Sequence, residues 1–435
     1  MKRTLLLWPA LGLSVLLAGC PASAPQGGAG TNSGSSSGTS TGLTIISPHT
    51  REIQVEFQQA WLKTHPNVPI KWVGQSGSSG DLRFVREGFN ALGSNRDKGI
   101  GVDVFFGGGG ETFAELEKDK LLVPLPSTYG VPKELNRVPL HASDNSWVAA
   151  ALSGFGILYN KPIAARDGLP VPKTWEDLAN AKLYDRVSLA DPRKSGSAHV
   201  VYEIILQTNG WDKGWKILTG MAGNARRFAT GSSDVLTDVS NGEAVFCTAI
   251  DFYATGAINK AGGDKLAYIQ PQGQNLITTD PIGVLRGAPN AKAAQDFVAF
   301  VMSPEGQKLW IQKVGTPGGP TNNTLSRLPA LPTAYDNPNA FTTLNPYKEK
   351  ATVTFDADKA ARRRRALDDM IGVALVDNLD RVKAKWKRNP DLNASGYVPM
   401  PESEFNALAL KWDDPNVATA NRSKWALAAR GFFAG

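Results

Sequence analysis

Four junctions in this 435-residue chain expose backbone with little side-chain bulk: Ser47-Pro48-His49, Ser76 to Asp81, Gly107 to Gly110, and Ser195-Gly196-Ser197. Each follows a short apolar run that reads as a strand, or sits just ahead of a helical pattern. In open α/β sheets, ligands lie beyond the carboxyl ends of strands, where helix N-termini point their free N–H groups. Small polar residues at such places suit the capture of an anion. Candidate ligand-binding residues on this argument are His49, Ser76, Ser78, Ser79, Gly108, Gly109, Ser195, Gly196 and Ser197, with Ser232 at a further helix start. Four successive glycines lose much backbone entropy on folding, which favours close approach of something to residues 107–110. Plainer readings stay open: Ser195 and Ser197 as ordinary N-caps, His49 as a helix-start residue, and the glycines as a turn.

Catalytic motifs are missing. Gly-Lys never occurs, so no P-loop exists, and the glycines at 107–110 do not complete G-x-G-x-x-G. No G-x-S-x-G elbow joins a strand to a helix, and neither S-x-x-K nor H-E-x-x-H is present. The four histidines, at 49, 65, 141 and 199, lack zinc-ligand spacing. A triad assembled from distant residues stays open, but the pattern points to capture rather than conversion.

The elements that would position these residues alternate. "LTIIS" and "VPIKWV" read as strands flanking a helix with Ile53, Phe57, Ala60 and Trp61 at helical spacing. A helix from Asp81, a buried strand at Val102–Phe106 and a helix from Glu111 follow. "RVSLADP" is strand then turn, "SGSAHVVYEIILQTNG" a helix ending at Gly210, and "EAVFCTAI" a strand. From Asp356 the chain is mostly helical. The fold class is α/β with a mainly parallel sheet.

The N-terminus has a different character. Met1-Lys2-Arg3 is positive, and Leu5 to Ala18 is an apolar core of signal-peptide length, too short to span a bilayer comfortably. Pro21 to Gly42 is so rich in Gly, Ser, Thr and Ala that it cannot fold. As a coil it reaches roughly 25 Å. The roughly 390 residues beyond it suffice for two domains with real cores. Net charge is +7, or +5 without Lys2 and Arg3, too mild to argue for nucleic acid. Arg362 to Arg365 read as a solvated helix face answered by Asp368 and Asp369, with a membrane or partner contact as the other reading. Of the two cysteines, Cys247 lies in an apolar run and reads as a buried structural thiol.

Leu17-Ala18-Gly19-Cys20 resembles the lipobox of bacterial lipoproteins, which implies lipidation of Cys20 after removal of residues 1–19, leaving a tether over 20–42. "TIISPHTREIQVEFQQAW", "VDVFFGG", "KTWEDLA", "SLADPRKSGSAHVVYEIILQ" and "DPIGVLRGAPNAKAAQDFVAFVMSPEGQKLW" resemble extracellular solute-binding proteins of ABC importers. The subgroup is the ferric-iron-binding type, which also holds phosphonate and sugar-phosphate binders. The likeness covers Leu43 to about Trp310 and is loose over the C-terminal stretch.

That resemblance implies a two-lobe periplasmic binding protein fold of type II with a ligand cleft between the lobes. Lobe 1 would be 43–150 plus 281–345, lobe 2 would be 155–278, and 346–435 a helical region packing on one of them. Crossing strands would lie near Ala149–Asn160 and Leu276–Gly283. The stretch Ser195-Gly196-Ser197-Ala198 falls where the family holds an anion on a helix N-terminus, which adds Ala198 to the site. Ferric members bind iron through a His, a Glu and paired tyrosines. Here His49 and Tyr253 match, the Glu position falls among Gly107 to Gly110 with Glu111 just beyond, and one tyrosine is replaced within Asp251-Phe252-Tyr253. Ser153 to Phe155 stand where ferric members carry an Arg. Asp251 suits an amine or hydroxyl of a ligand, or caps its helix; Tyr253 also reads as core packing.

The resulting expectation is a monomeric, non-enzymatic substrate-binding component of an ABC importer. It would capture a small anionic, phosphonate- or organophosphate-like solute without a cofactor and deliver it to a permease served by an ATPase. Its place would be the bacterial cell envelope, anchored through Cys20 and facing periplasm or exterior. The alternatives are a ferric iron-binding protein, with Fe(III) on His49 and Tyr253, and a secreted hydrolase.

Overall fold

Apolar runs of four to five residues become strands, and 3.6-periodic stretches become the helices between them. The computed structural model describes residues 42–75, 77–342, 344–348 and 353–435; the leader, the tether with Cys20, and Ser76 lie outside the described residues. Strands β1 (Leu43–Ile46) and β2 (Ile70–Val73) pair in parallel around α1 (Arg51–Thr64), which buries Ile53, Phe57 and Trp61 along one stripe. After α2 (Ser78–Ala91), β3 (Val104–Phe106) joins the other side of β1 in parallel, and α3 (Gly110–Lys118) follows. The short strands β4 (Leu122–Val123), β5 (Glu134–Leu135) and β6 (Val138–Pro139) lead to β7 (Val148–Asn160), the longest strand and almost wholly buried.

The middle of the chain repeats the pattern. It runs α4 (Lys161–Arg166), β8 (Val187–Ala190), α5 (Gly196–Asn209), α6 (Trp211–Gly223) and β9 (Ala225–Ala229). Next come α7 (Ser232–Asn241), β10 (Phe246–Ile250), α8 (Asp251–Ala261) and β11 (Leu266–Ile269). β12 (Ile277–Leu285) then returns, followed by α9 (Ala291–Met302), α10 (Pro304–Ile311) and β13 (Leu328–Pro329). The C-terminal stretch forms α11 (Ala357–Ile371), α12 (Leu379–Arg388), α13 (Leu392–Ser395), α14 (Glu402–Ala409) and α15 (Pro415–Ala434).

The main sheet has the order β2-β1-β3-β12-β7-β10-β8-β9. It is parallel in each outer trio but antiparallel wherever β7 or β12 takes part. A mainly parallel sheet was too simple an expectation, because β7 serves both halves. Its residues Val148–Gly154 pair with β12, and Phe155–Tyr159 pair with β10. The change of partner falls between Gly154 and Phe155. β12 slips register between Asp280 and Pro281. Such an irregularity re-aims a side chain, and Pro281 has no N–H to lose from the ladder.

The C-terminal helices are not an outlying bundle. α11 packs on α3 and on α5, and α12 and α13 pack on α6. Trp386 of α12, 2% exposed, donates its indole N–H to Asn224 Oδ1 at 2.9 Å. The arginine run divides by helical face. Arg362 and Arg365 are exposed, but Arg363 and Arg364 are buried at 1% and 3%. The solvated-face reading therefore holds for only half the run: Arg363 and Arg364 stand one turn before Leu367 and two before Met370, on the face that packs inward. Arg363 is held by Glu203 at 2.7 Å and Glu402 at 2.6 Å. Cys247 is fully buried, and burial pushes its thiol well above the ordinary range.

Candidate functional site

Beyond the ends of β1, β3, β8, β9 and β10, the loops enclose a cavity of about 440 Å³. Its floor is an ionic cluster at the point where β7 changes partner. The Asp280 carboxylate accepts the N–H groups of Gly108 at 2.7 Å and Gly109 at 3.0 Å through Oδ1. Its Oδ2 meets His49 Nε2 at 2.9 Å and the Arg327 guanidinium. Arg327, 1% exposed, also donates to Ser153 Oγ at 2.9 Å, and lies 3.9 Å over the Phe252 ring. Burial alone would raise Asp280, but the Arg327 charge and the His49 bond outweigh it and hold the carboxyl far below its usual range. His49 is lowered, chiefly by burial and further by Arg327, against the pull of Asp280. His49 Nε2 lies 2.9 Å from both the Asp280 carboxylate, which can only accept, and the Arg327 guanidinium, which can only donate, so the ring's tautomer decides which of the two it bonds.

The glycine run exists for this cluster. Gly107, Gly108 and Gly109 have φ of +90°, +106° and +85°, and a Cβ on Gly107 would stand 2.5 Å from His49 Nε2. Left-handed geometry and lack of room both require glycine.

Helix N-termini form the walls. Ser195 caps α5, its Oγ accepting the Ala198 N–H at 3.2 Å, and it meets Ser232 Oγ of α7 at 2.5 Å. That leaves the N–H groups of Gly196 and Ser197, and of Ser232 and Ser233, without hydrogen-bond partners among the described residues. The start of α2 closes the mouth: a Cβ on Gly196 would lie 3.4 Å from Ser78 Cβ and closer still to Ser78 Oγ, and one on Gly77 would stand 3.0 Å from the Lys194 carbonyl. Arg364 enters from α11, donating to Thr112 Oγ1 at 2.8 Å and to Ser79 Oγ at 3.3 Å. Glu111, 7% exposed at the start of α3, faces the cavity with no hydrogen bond of its carboxylate to another described residue.

The cavity brings together His49, Ser78, Gly108, Gly109, Ser195, Gly196, Ser197, Ser232 and Tyr253 of the residues expected from sequence. Tyr253 keeps its hydroxyl free of hydrogen-bond partners among the described residues, and burial pushes it up to about 12. Three expected residues stand elsewhere. Ser79 faces a neighbouring cavity and accepts from Arg364. Ala198 is buried behind the Ser195 cap. Asp251 turns its carboxylate away to the crossing strand, accepting the N–H of Gly154 at 2.7 Å and of Phe252 at 2.7 Å, and burial pushes it up to about 6. Its carboxylate is thus bonded to backbone N–H groups of β7 and of the first turn of α8, and it does not line the cavity. Ser76 lies outside the described residues. Sequence reasoning missed Arg327, Asp280, Ser153, Lys194 and Arg364 as lining residues. A guanidinium does reach Ser153, from Arg327 far along the chain. Among the described residues, no group of three or more His, Cys, Asp or Glu side chains could hold a metal ion.

Comparison with known proteins places these features in context. The family described as bacterial extracellular solute-binding protein matches residues 101–337. A phosphoglycerate transport regulatory protein of Salmonella typhimurium is 25% identical over 344 residues, 79% of each chain. Among solved structures, the periplasmic binding protein AfuA of Actinobacillus pleuropneumoniae, with exogenous fructose 6-phosphate bound, superposes with a TM-score of 0.62. It is 18% identical, with 80% of this chain and 98% of that one covered. The apo ferric ion-binding protein A of Pasteurella haemolytica gives 0.59 at 13% identity, covering 78% and 98%.

Proposed function

As a member of the bacterial extracellular solute-binding protein family, the chain is a solute-binding protein, and we propose that its cavity captures a small phosphorylated or phosphonate solute bearing hydroxyl groups. The carrying observation is that the N-termini of α5 and α7 face each other across the 2.5 Å Ser195–Ser232 contact, with four N–H groups open to the cavity. Paired helix starts combine free donors with the positive ends of two dipoles, an arrangement that favours a phosphate group. The unbonded Glu111 carboxylate suits a ligand hydroxyl. The names of two similar proteins, a phosphoglycerate transport regulatory protein and a periplasmic binding protein with fructose 6-phosphate bound, support the same class.

Ferric iron fits less well. The Arg327 guanidinium stands 2.9 Å from His49 Nε2, and a fixed positive charge beside that nitrogen repels a trivalent cation. Tyr253 and the Glu111 carboxylate then remain as hard oxygen ligands, fewer than a ferric shell asks for. Capture also fits better than hydrolysis, since no serine hydroxyl bonds a histidine ring among the described residues.

In this reading the protein hands its solute to an ABC permease with its ATPase. The permease senses the closed form, whose population the ligand raises. A lipid on Cys20 holds the protein at the cell envelope. The test of the anion site is a pair of substitutions at Ser197. Asp at 197 sets like charge against the ligand and should weaken calorimetric binding of fructose 6-phosphate far more than Ala does; equal effects of S197D and S197A would place the anion elsewhere.

A further inference from the structure

We infer that Arg364, carried by the C-terminal helix α11 outside the stretch matched to the family, is a ligand-binding residue that pairs with the solute's anionic group. This rests on the anion reading of the cleft. Three arginines of the described chain are buried. Arg327 has Asp280, and Arg363 has Glu203 and Glu402. Arg364, 3% exposed, makes no ion pair with any described residue. Its two hydrogen bonds go to the neutral hydroxyls of Thr112 and Ser79. The nearby Asp368 carboxylate is taken by His199 Nδ1 at 2.7 Å.

Asp368 feels the Arg364 charge, but a buried cation with no carboxylate hydrogen-bonded to it is stabilised when such a partner arrives. The place for that partner is defined. Nη2 of Arg364 would lie 3.4 Å from a Cβ on Gly196, at the start of α5, so an anion on the open N–H groups of Gly196 and Ser197 comes within reach of the guanidinium. The helix is held for this purpose: Arg363–Glu203 and His199–Asp368 fasten α11 to α5, while Arg364 reaches across to α2 and α3. The C-terminal helices thereby form a third wall of the cleft, and the charge they bring favours a dianionic headgroup over a monoanionic one.

The test uses the full chain and its R364M and R364K variants, with fructose 6-phosphate, 3-phosphoglycerate and inorganic phosphate as calorimetric probes and thermal melts in anion-free buffer. R364M should weaken the probe that binds wild type best by at least about thirtyfold, the scale for losing one buried charged partner. R364K should recover part of that loss. Ligand-free R364M should melt no lower than wild type, because the substitution removes a buried charge that no carboxylate of a described residue hydrogen-bonds. A probe that binds wild type and R364M within threefold, with a lower melting temperature for R364M, would make Arg364 a structural residue and overturn the inference while leaving the solute-binding reading intact. A wild type that binds unphosphorylated fructose as well as its phosphate would overturn the anion reading, and this inference with it.

Discussion

Gly196 is where a single methyl group should separate folding from binding. Its backbone is not in the left-handed region and it opens α5, so alanine is acceptable there and favours the folded state by up to about 1 kcal/mol through the unfolded chain. Against that, a Cβ at 196 meets Ser78 Oγ inside van der Waals contact and Ser78 Cβ at 3.4 Å. The Cβ contact is ordinary, and rotation of the Ser78 side chain relieves the hydroxyl clash only by moving it to a less favourable rotamer. The penalty therefore belongs at the lower end of the 1–3 kcal/mol typical of overpacking, about 1–2 kcal/mol. It falls on the state in which the start of α2 closes over the start of α5. Ligand affinity should drop about 5- to 30-fold, with no loss of melting temperature in the ligand-free protein. Adding S78A removes the hydroxyl and leaves an ordinary contact, so the double variant should bind nearly as well as S78A alone. Calorimetric titration of the four proteins with fructose 6-phosphate gives the coupling. If G196A binds within twofold of wild type, or if S78A fails to relieve its loss, the closure geometry is wrong.

Asp251 gives a pH signature. Its carboxyl keeps its proton up to about 6 in the folded protein, whereas an unfolded aspartate loses it near 3.9. The folded state thus binds more protons between those values, so this group's contribution to stability falls by up to roughly 3 kcal/mol as pH rises from 4 to 6. Melting curves of D251N should lack that decline, and profiles parallel to wild type would contradict it. At the other end of the chain, C20S should prevent lipidation and move the protein out of the membrane fraction; a variant that stays membrane-bound after a high-salt wash would rule the anchor out.

The sequence was most legible where local chemistry sets local structure. The small polar junction at Ser195 to Ser197 marked a helix start beyond a strand, and that helix start lines the cavity. The glycine run marked a close approach, which proved to be to His49 and Asp280. Cationic residues of the site were not legible in this way. Arg327 stands in an unremarkable loop, and only the long-range pairing of β13 with β7 brings it to Ser153. Arg364 did leave a trace. Leu367, Met370 and Ile371 define the inward face of α11, and the same period puts residues 363 and 364 on it. Four consecutive arginines drew attention to charge rather than to phase. Asp251 misled for the opposite reason: a carboxylate at a helix start near Tyr253 suits a ligand, but β7 approached first and supplied the Gly154 N–H.

The central claim is that the cleft selects a phosphorylated solute through helix N-termini rather than a metal through hard oxygen ligands. It is tested most directly by titrating one chelator-stripped preparation with fructose 6-phosphate, 3-phosphoglycerate, unphosphorylated fructose and ferric citrate, following heat and visible absorbance together. The account predicts saturable one-to-one binding of at least one phosphorylated compound, none of fructose, and no coloured complex that survives excess citrate. A stable coloured ferric complex that disappears in Tyr253→Phe, with no heat from either phosphate ester, would contradict it.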